Sequence, residues 1–162
     1  MKSLKTQAAL HGPLFQHNNL NYYNLKKRIK KNEGFSQKPY RDKLGFLTIG
    51  YGHLVLSHEK HLINTKKTKQ QLEEIFEDDF KRAVEDFNNH LNPYSFNQKD
   101  KELMIEMVFQ IGILGVLKFK KLLTNLKKKH RYLVCFEMMN SLWYKQTPNR
   151  VKNLIKEFIK ND

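Results

Sequence analysis

The sequence predicts an α+β fold in which a small β-hairpin lobe on the N-terminal side packs on a larger all-helical C-terminal lobe, with a cleft between them. Three observations predict it. A short amphipathic run ends at Gly34. The stretch from Phe35 to Leu54 is punctuated by Pro39, Gly45, Gly50 and Gly52 among Tyr, Phe, Thr and Ile. From Thr68 onward, apolar residues recur at helical spacing almost to the end.

The elements follow in order. Residues 1–21 mix Gly12 and Pro13 with glutamine, histidine and asparagine without a usable period, and are expected to form a flexible extension. Residues 22–162 are then one domain. A chain of 162 residues, 40% of them hydrophobic, with 11 Phe and 7 Tyr, is large enough to bury its own core. Tyr22, Leu25 and Ile29 mark one face of a helix that runs to Glu33. Between Phe35 and Leu54 the glycines indicate a small twisted hairpin. Thr68 with Gln71 forms a capping box, followed by Leu72, Ile75, Phe76 and Phe80 on one helical face. This helix either continues or kinks into Val84 to Leu91, and it ends at Asn92-Pro93. Further helices are expected over Leu103 to Phe109, Val116 to Leu126 and Tyr132 to Leu142. A last one begins behind Thr147, read as an N-cap, with Pro148 in the first turn. Trp143 and the single cysteine, Cys135, read as core residues.

The charge balance narrows the partners. Thirty Lys and Arg against 16 Asp and Glu give a net charge of +14, which suits nucleic acid, anionic lipid or bacterial cell wall. No nucleic-acid recognition motif accompanies the charge. The triplet Lys127-Lys128-Lys129 and the amphipathic C-terminal helix keep an anionic membrane surface open as an alternative, non-enzymatic target. No apolar run approaches the roughly 20 residues that span a bilayer, and Lys2 to Leu10 is too short and polar for a secretory signal. Action outside the cytoplasm would therefore need a separate route of release.

Glu33 is the residue local structure does not explain. A helix C-terminus carries partial negative charge, so a carboxylate there is disfavoured as an anion and its proton is held more tightly, as a general acid requires. Glu33 ends a helix and Asp42 lies in the approach to the hairpin, so both can face the cleft. Two carboxylates on rigid elements suit glycoside hydrolysis. The spacing alone also fits a solvated surface pair.

The motifs go further. Glu33-Gly34, Tyr40-Arg41-Asp42 and Gly45-Phe46-Leu47-Thr48-Ile49-Gly50-Tyr51-Gly52-His53 resemble the active-site segment of the phage-type lysozymes, including the Glu-x8-Asp-x5-Thr spacing. Met107 to Gly112 and Trp143 to Arg150 resemble two further blocks of that family in the same order, so the likeness runs from about Leu25 to the end. It implies a lysozyme-like fold and a muramidase that cuts the β-1,4 bond between N-acetylmuramic acid and N-acetylglucosamine in peptidoglycan, as a monomer and without metal or cofactor. By the same resemblance Glu33 is the general acid, and Asp42 and Thr48 hold the hydrolytic water. Leu54 and Phe109 line the saccharide path, although Phe109 also fits the core. The resemblance further pairs His53 with Asp79 structurally and puts Arg150 beside Glu33, where its charge would oppose the helix-end effect. Which of the two prevails is open at this level. The segment between His53 and Thr68 is about a dozen residues shorter than in the T-even phage relative, which implies a trimmed substrate-binding lobe.

Overall fold

A computed structural model describes residues 22–42 and 45–160. The expected N-terminal extension, 1–21, lies outside the described residues. Helix α1, Tyr23–Glu33, buries Leu25 and Ile29 completely, four positions apart on one face, while Lys27 and Lys31 are exposed and Lys26 and Lys30 lie over the rings of Phe80 and Phe76. It stops at Gly34, whose φ of 73° favours a residue without Cβ and whose N–H donates to the Lys30 carbonyl.

Three antiparallel strands follow, β1 (Ser36–Arg41), β2 (Leu47–Gly50) and β3 (His53–Leu54), in the order β1-β2-β3. Tyr40 pairs with Thr48, Thr48 with Leu54, and Ile49 with His53. The β1–β2 register is irregular between Ser36 and Tyr40. Pro39 lies in this interval and has no N–H for the ladder. Beyond β3 the chain forms a 3₁₀ turn at Ser57–Glu59 and a one-turn helix, α2 (His61–Asn64), where the sequence offered no periodic signal.

Thr68 and Gln71 make the reciprocal hydrogen bonds of a capping box at the start of α3, Lys69–His90. The helix passes Val84 without a break and buries Leu72, Phe76, Phe80, Ala83 and Phe87 along one face. Helix α4, Gln98–Leu117, begins well before the expected Leu103. Asn97 caps it by accepting the Asp100 N–H at 2.8 Å. Leu103, Met104, Ile105, Met107 and Val108 are all buried, so α4 has no solvent stripe over this stretch and acts as the axis of the helical body. At Gly112, φ 69° and ψ 161° interrupt its helical path.

Two expected helices are corrected. The run Val116 to Leu126 divides at Lys118-Phe119 between α4 and α5 (Lys120–Lys127), because Phe119 turns the corner and sets its ring edge-on against Trp143, centroids 6.3 Å apart. The run Tyr132 to Leu142 divides as well. Helix α6 (Arg131–Met139) stops before Ser141, whose hydroxyl accepts the Tyr144 N–H and starts α7 (Leu142–Gln146). The last helix, α8 (Pro148–Ile159), starts where expected, but Thr147 does not cap it through its side chain. Its hydroxyl donates to the Trp143 carbonyl instead.

The core joins α1, α3, α4, α6 and α8, with Val134, Met138, Val151, Leu154 and Phe158 closing it, and Cys135 and Trp143 within it. Phe76 links the sheet to this core, its ring within 6.2 Å of Tyr51, Phe80 and Phe109. Phe76→Ala is expected to lower the unfolding free energy by about 3–5 kcal/mol, read from urea unfolding.

Candidate active site

The last turn of α1 delivers Glu33 to the base of the sheet with only 11% of its side chain exposed. Its Oε2 accepts a hydrogen bond from Arg150 Nη2 at 2.7 Å, and the same nitrogen lies 3.3 Å from the Asn32 carbonyl. Arg150 comes from the first turn of α8, 117 residues away. On the sheet side, Gly52 comes so close that a Cβ there would sit 3.0 Å from Glu33 Oε2. Burial raises the proton affinity of Glu33 above the usual carboxylate range. The charge and hydrogen bond of Arg150 pull it down, and the charge of Glu106 pushes it up again. The net direction is upward, so burial outweighs the arginine, and it acts more directly than the helix-end effect.

Asp42 follows β1 in the turn that leads to β2. Its Oδ1 accepts the Phe46 N–H and its own N–H donates to the Phe46 carbonyl, both at 2.9 Å. Thr48, in the middle of β2 and 4% exposed, donates its hydroxyl to that same Phe46 carbonyl at 3.1 Å. Both side chains are thus anchored on one peptide segment. Because the Thr48 proton is engaged, its oxygen retains its capacity to accept.

Strand register shows which groups share this face. Residues directly opposite one another in antiparallel strands project to the same side, so Tyr40, Thr48 and Leu54 form a row across the sheet. Tyr40 has its phenol pKa raised by burial first and then by the charges of Glu33 and Asp42, with Arg150 opposing. One phenol therefore senses all three charged groups. Leu54, 45% exposed, ends the row at the solvent edge. Phe109 lies apart on α4, half-buried, with its ring 5.5 Å from Phe76.

The row behind, Ile49 and His53, faces the opposite way. His53 is buried, with Nδ1 2.9 Å from Asp79 Oδ2 and Nε2 3.2 Å from Glu59 Oε2. Burial alone lowers its pKa, but the hydrogen bonds and charges of Asp79 and Glu59 outweigh this and the net shift is upward. Among the described residues, no group of three His, Cys, Asp or Glu side chains converges as metal ligands would.

Sequence reading missed Glu106. It is completely buried on α4 and accepts from Arg28 Nε at 2.8 Å, Asn32 Nδ2 at 3.2 Å and Gln110 Nε2 at 3.3 Å. The signal available was a carboxylate inside the apolar run Leu103 to Phe109, where an unpaired charge is not tolerated.

The Phage lysozyme family matches residues 30–157. Two Dictyostelium discoideum proteins named probable T4-type lysozymes 2 and 1 are each 31% identical to the chain. The alignments cover 83% and 81% of this chain and 92% and 91% of theirs. A protein of Pseudomonas phage phiKMV named peptidoglycan hydrolase gp36 is 25% identical over 83% of this chain and 15% of its own length. The chain belongs to the phage lysozyme family, and its class is that of a lysozyme-type glycoside hydrolase.

Two outcomes follow from the geometry. The raised pKa of His53 gives stability that is fully present below about pH 6.5 and is lost as pH rises through the folded-state value. Asp79→Asn is therefore expected to lower the melting temperature more at about pH 5.5 than at about pH 9 in parallel thermal scans. Gly52 has φ of 82°, so Gly52→Ala is expected to cost about 1–2 kcal/mol from the backbone alone, and further from the contact with Glu33, as read in chemical denaturation.

Proposed function

We propose that the chain hydrolyses bacterial peptidoglycan at the β-1,4 bond between N-acetylmuramic acid and N-acetylglucosamine, with Glu33 as general acid. The observation that carries this reading is the buried Glu33 carboxyl, held by Arg150 and with its proton affinity raised by burial, acting on the same phenol as Asp42. The name peptidoglycan hydrolase borne by one relative supports the substrate.

In this mechanism Glu33 donates its proton to the glycosidic oxygen as the bond to the anomeric carbon breaks. Asp42 and Thr48, both bonded to Phe46, hold water against that carbon. Asp42 accepts the proton the water loses, and proton exchange with solvent restores both acids. Leu54 offers an apolar surface along the saccharide path, and half-buried Phe109, on α4, lines it from the helical side. The enzyme acts at the cell wall, beyond the cytoplasm.

A second, additional activity at anionic membranes is favoured by α6. Tyr132, Leu133, Phe136 and Met139 are 84%, 49%, 55% and 47% exposed along its outer side, next to exposed Lys127 and Lys128. Exposed apolar side chains flanked by cations suit a lipid interface. Among the described residues no helix is long and apolar enough to cross a membrane.

Digestion of purified peptidoglycan with mass spectrometry of the fragments tests the main reading. Wild type should release reducing N-acetylmuramic acid, and Glu33→Gln should lower kcat about 10²–10⁴-fold with an unchanged circular dichroism spectrum. Substantial turnover by that variant would remove Glu33 as the acid. Leakage of anionic vesicles by both proteins would support the membrane activity as independent of hydrolysis.

A further inference from the structure

We propose that Glu106 is a positioning residue for Glu33: its buried carboxyl group, held by donors from α1, fixes the C-terminal end of that helix and sets the electrostatics around the Glu33 carboxyl. This rests on the reading of Glu33 as the acid. Glu106 lies on the central helix, away from the sheet face, and has no part in the mechanism above.

The geometry supplies the argument. Glu106 is 0% exposed, and three donors hold its two oxygens: Arg28 Nε on Oε2, and the amides of Asn32 and Gln110 on Oε1. Two of the three belong to α1, Arg28 and Asn32, one turn apart. Asn32 directly precedes Glu33, and its carbonyl accepts from the guanidinium that holds the Glu33 carboxyl. The end of the helix is therefore gripped from below by Glu106 through the Asn32 side chain and from the other side by Arg150 through the Asn32 carbonyl. A displacement of Glu106 would pass to Glu33 through one residue of backbone.

The charges form a matched set. Arg150 lowers the proton affinity of both carboxyls and the charge of Glu106 raises that of Glu33, while burial raises that of Glu106 itself against the pull of Arg28, Asn32 and Arg150. Arg28 is bound to Glu106 and lies 3.7 Å from Glu102. The other titratable groups facing Glu33 are Tyr40 on β1 and, through that phenol's surroundings, Asp42. If the Glu106 charge is removed, Arg150 is opposed at Glu33 by burial alone, and the proton affinity of Glu33 falls. An apolar residue at 106 would satisfy the packing, so packing does not account for a carboxylate there.

The test uses Glu106→Gln, which is nearly isosteric, and Glu106→Asp, which keeps the charge. The readouts are the pH profile of kcat/KM on purified peptidoglycan and the carbon NMR titration of the Glu33 carboxyl. A general acid loses activity as pH rises through its pKa, so in Glu106→Gln the alkaline limb and the Glu33 titration should both move to lower pH, with KM unchanged. Glu106→Asp should move both back toward wild type. A Glu33 titration and alkaline limb that stay in place in a folded Glu106→Gln protein, with only the melting temperature reduced, would overturn the proposal and leave Glu106 as a structural residue. Should Glu106→Gln not fold, the wild-type protein decides: a second step in the Glu33 carboxyl titration that coincides with titration of the Glu106 carboxyl supports the proposal, and a Glu33 titration without that step overturns it. Failure of the acid assignment is separately visible. The NMR titration reports the coupling whether or not Glu33 is the acid, and Glu33→Gln reports the assignment itself.

Discussion

A guanidinium on the last helix holds the carboxyl that ends the first, and the rest of the architecture is arranged so that this contact can exist. A carboxylate taken largely out of water without a cation costs several kcal/mol, so α8 must cross α1 at this height. Its apolar residues Val151, Leu154 and Phe158 seat it on the body, and Leu25 and Ile29 seat α1. The planar guanidinium then bonds Glu33 and the Asn32 carbonyl together, which an ammonium on a flexible stem would do less well. Closing a loop of this length is entropically unfavourable, so the contact is bought by core packing around α4 and not by its own strength.

The contact is also a compromise between opposite requirements. An acid that must keep its proton gains from burial and loses from a neighbouring arginine. Here the arginine orients the carboxyl while burial still decides the direction of the pKa. Gly52 and the Tyr40–Thr48–Leu54 row place the sheet directly over this carboxyl. The Phe46 backbone ties Asp42 and Thr48 together, so the two groups on the sheet side move as a unit relative to Glu33.

Much of this was legible in the chain. Gly34 after a basic helix marks the α1 terminus because only a glycine adopts the needed φ without strain. The Thr68–Gln71 box located α3, and the motifs around Glu33, Asp42 and Thr48 identified the family. What was not legible shares a cause: long-range packing. The breaks at Phe119 and Ser141 interrupt apolar periodicity that is locally continuous, since the corner is set by the ring of Trp143 and by a hydroxyl cap. Thr147 looked like an N-cap, but its hydroxyl is drawn back to the preceding helix turn. Glu106 was hidden in an apolar run because two of its three partners, Arg28 and Asn32, lie 78 and 74 residues earlier on α1. At Glu33 the helix end argued for an upward shift and Arg150 against it, and the sequence left the balance open; burial, a property of the assembled fold, decides it.

Cys135, on α6, is 6% exposed, and burial raises its thiol pKa against the pull of Arg131. Since the thiolate is the form that is oxidised and enters disulfide exchange, this sulfur is withdrawn from both reactions. The chain has no second cysteine with which to cross-link. Its native state is therefore held by packing and ion pairs that do not depend on redox potential. The same fold is available in reducing and in oxidising surroundings alike, with no bond to form or break between them.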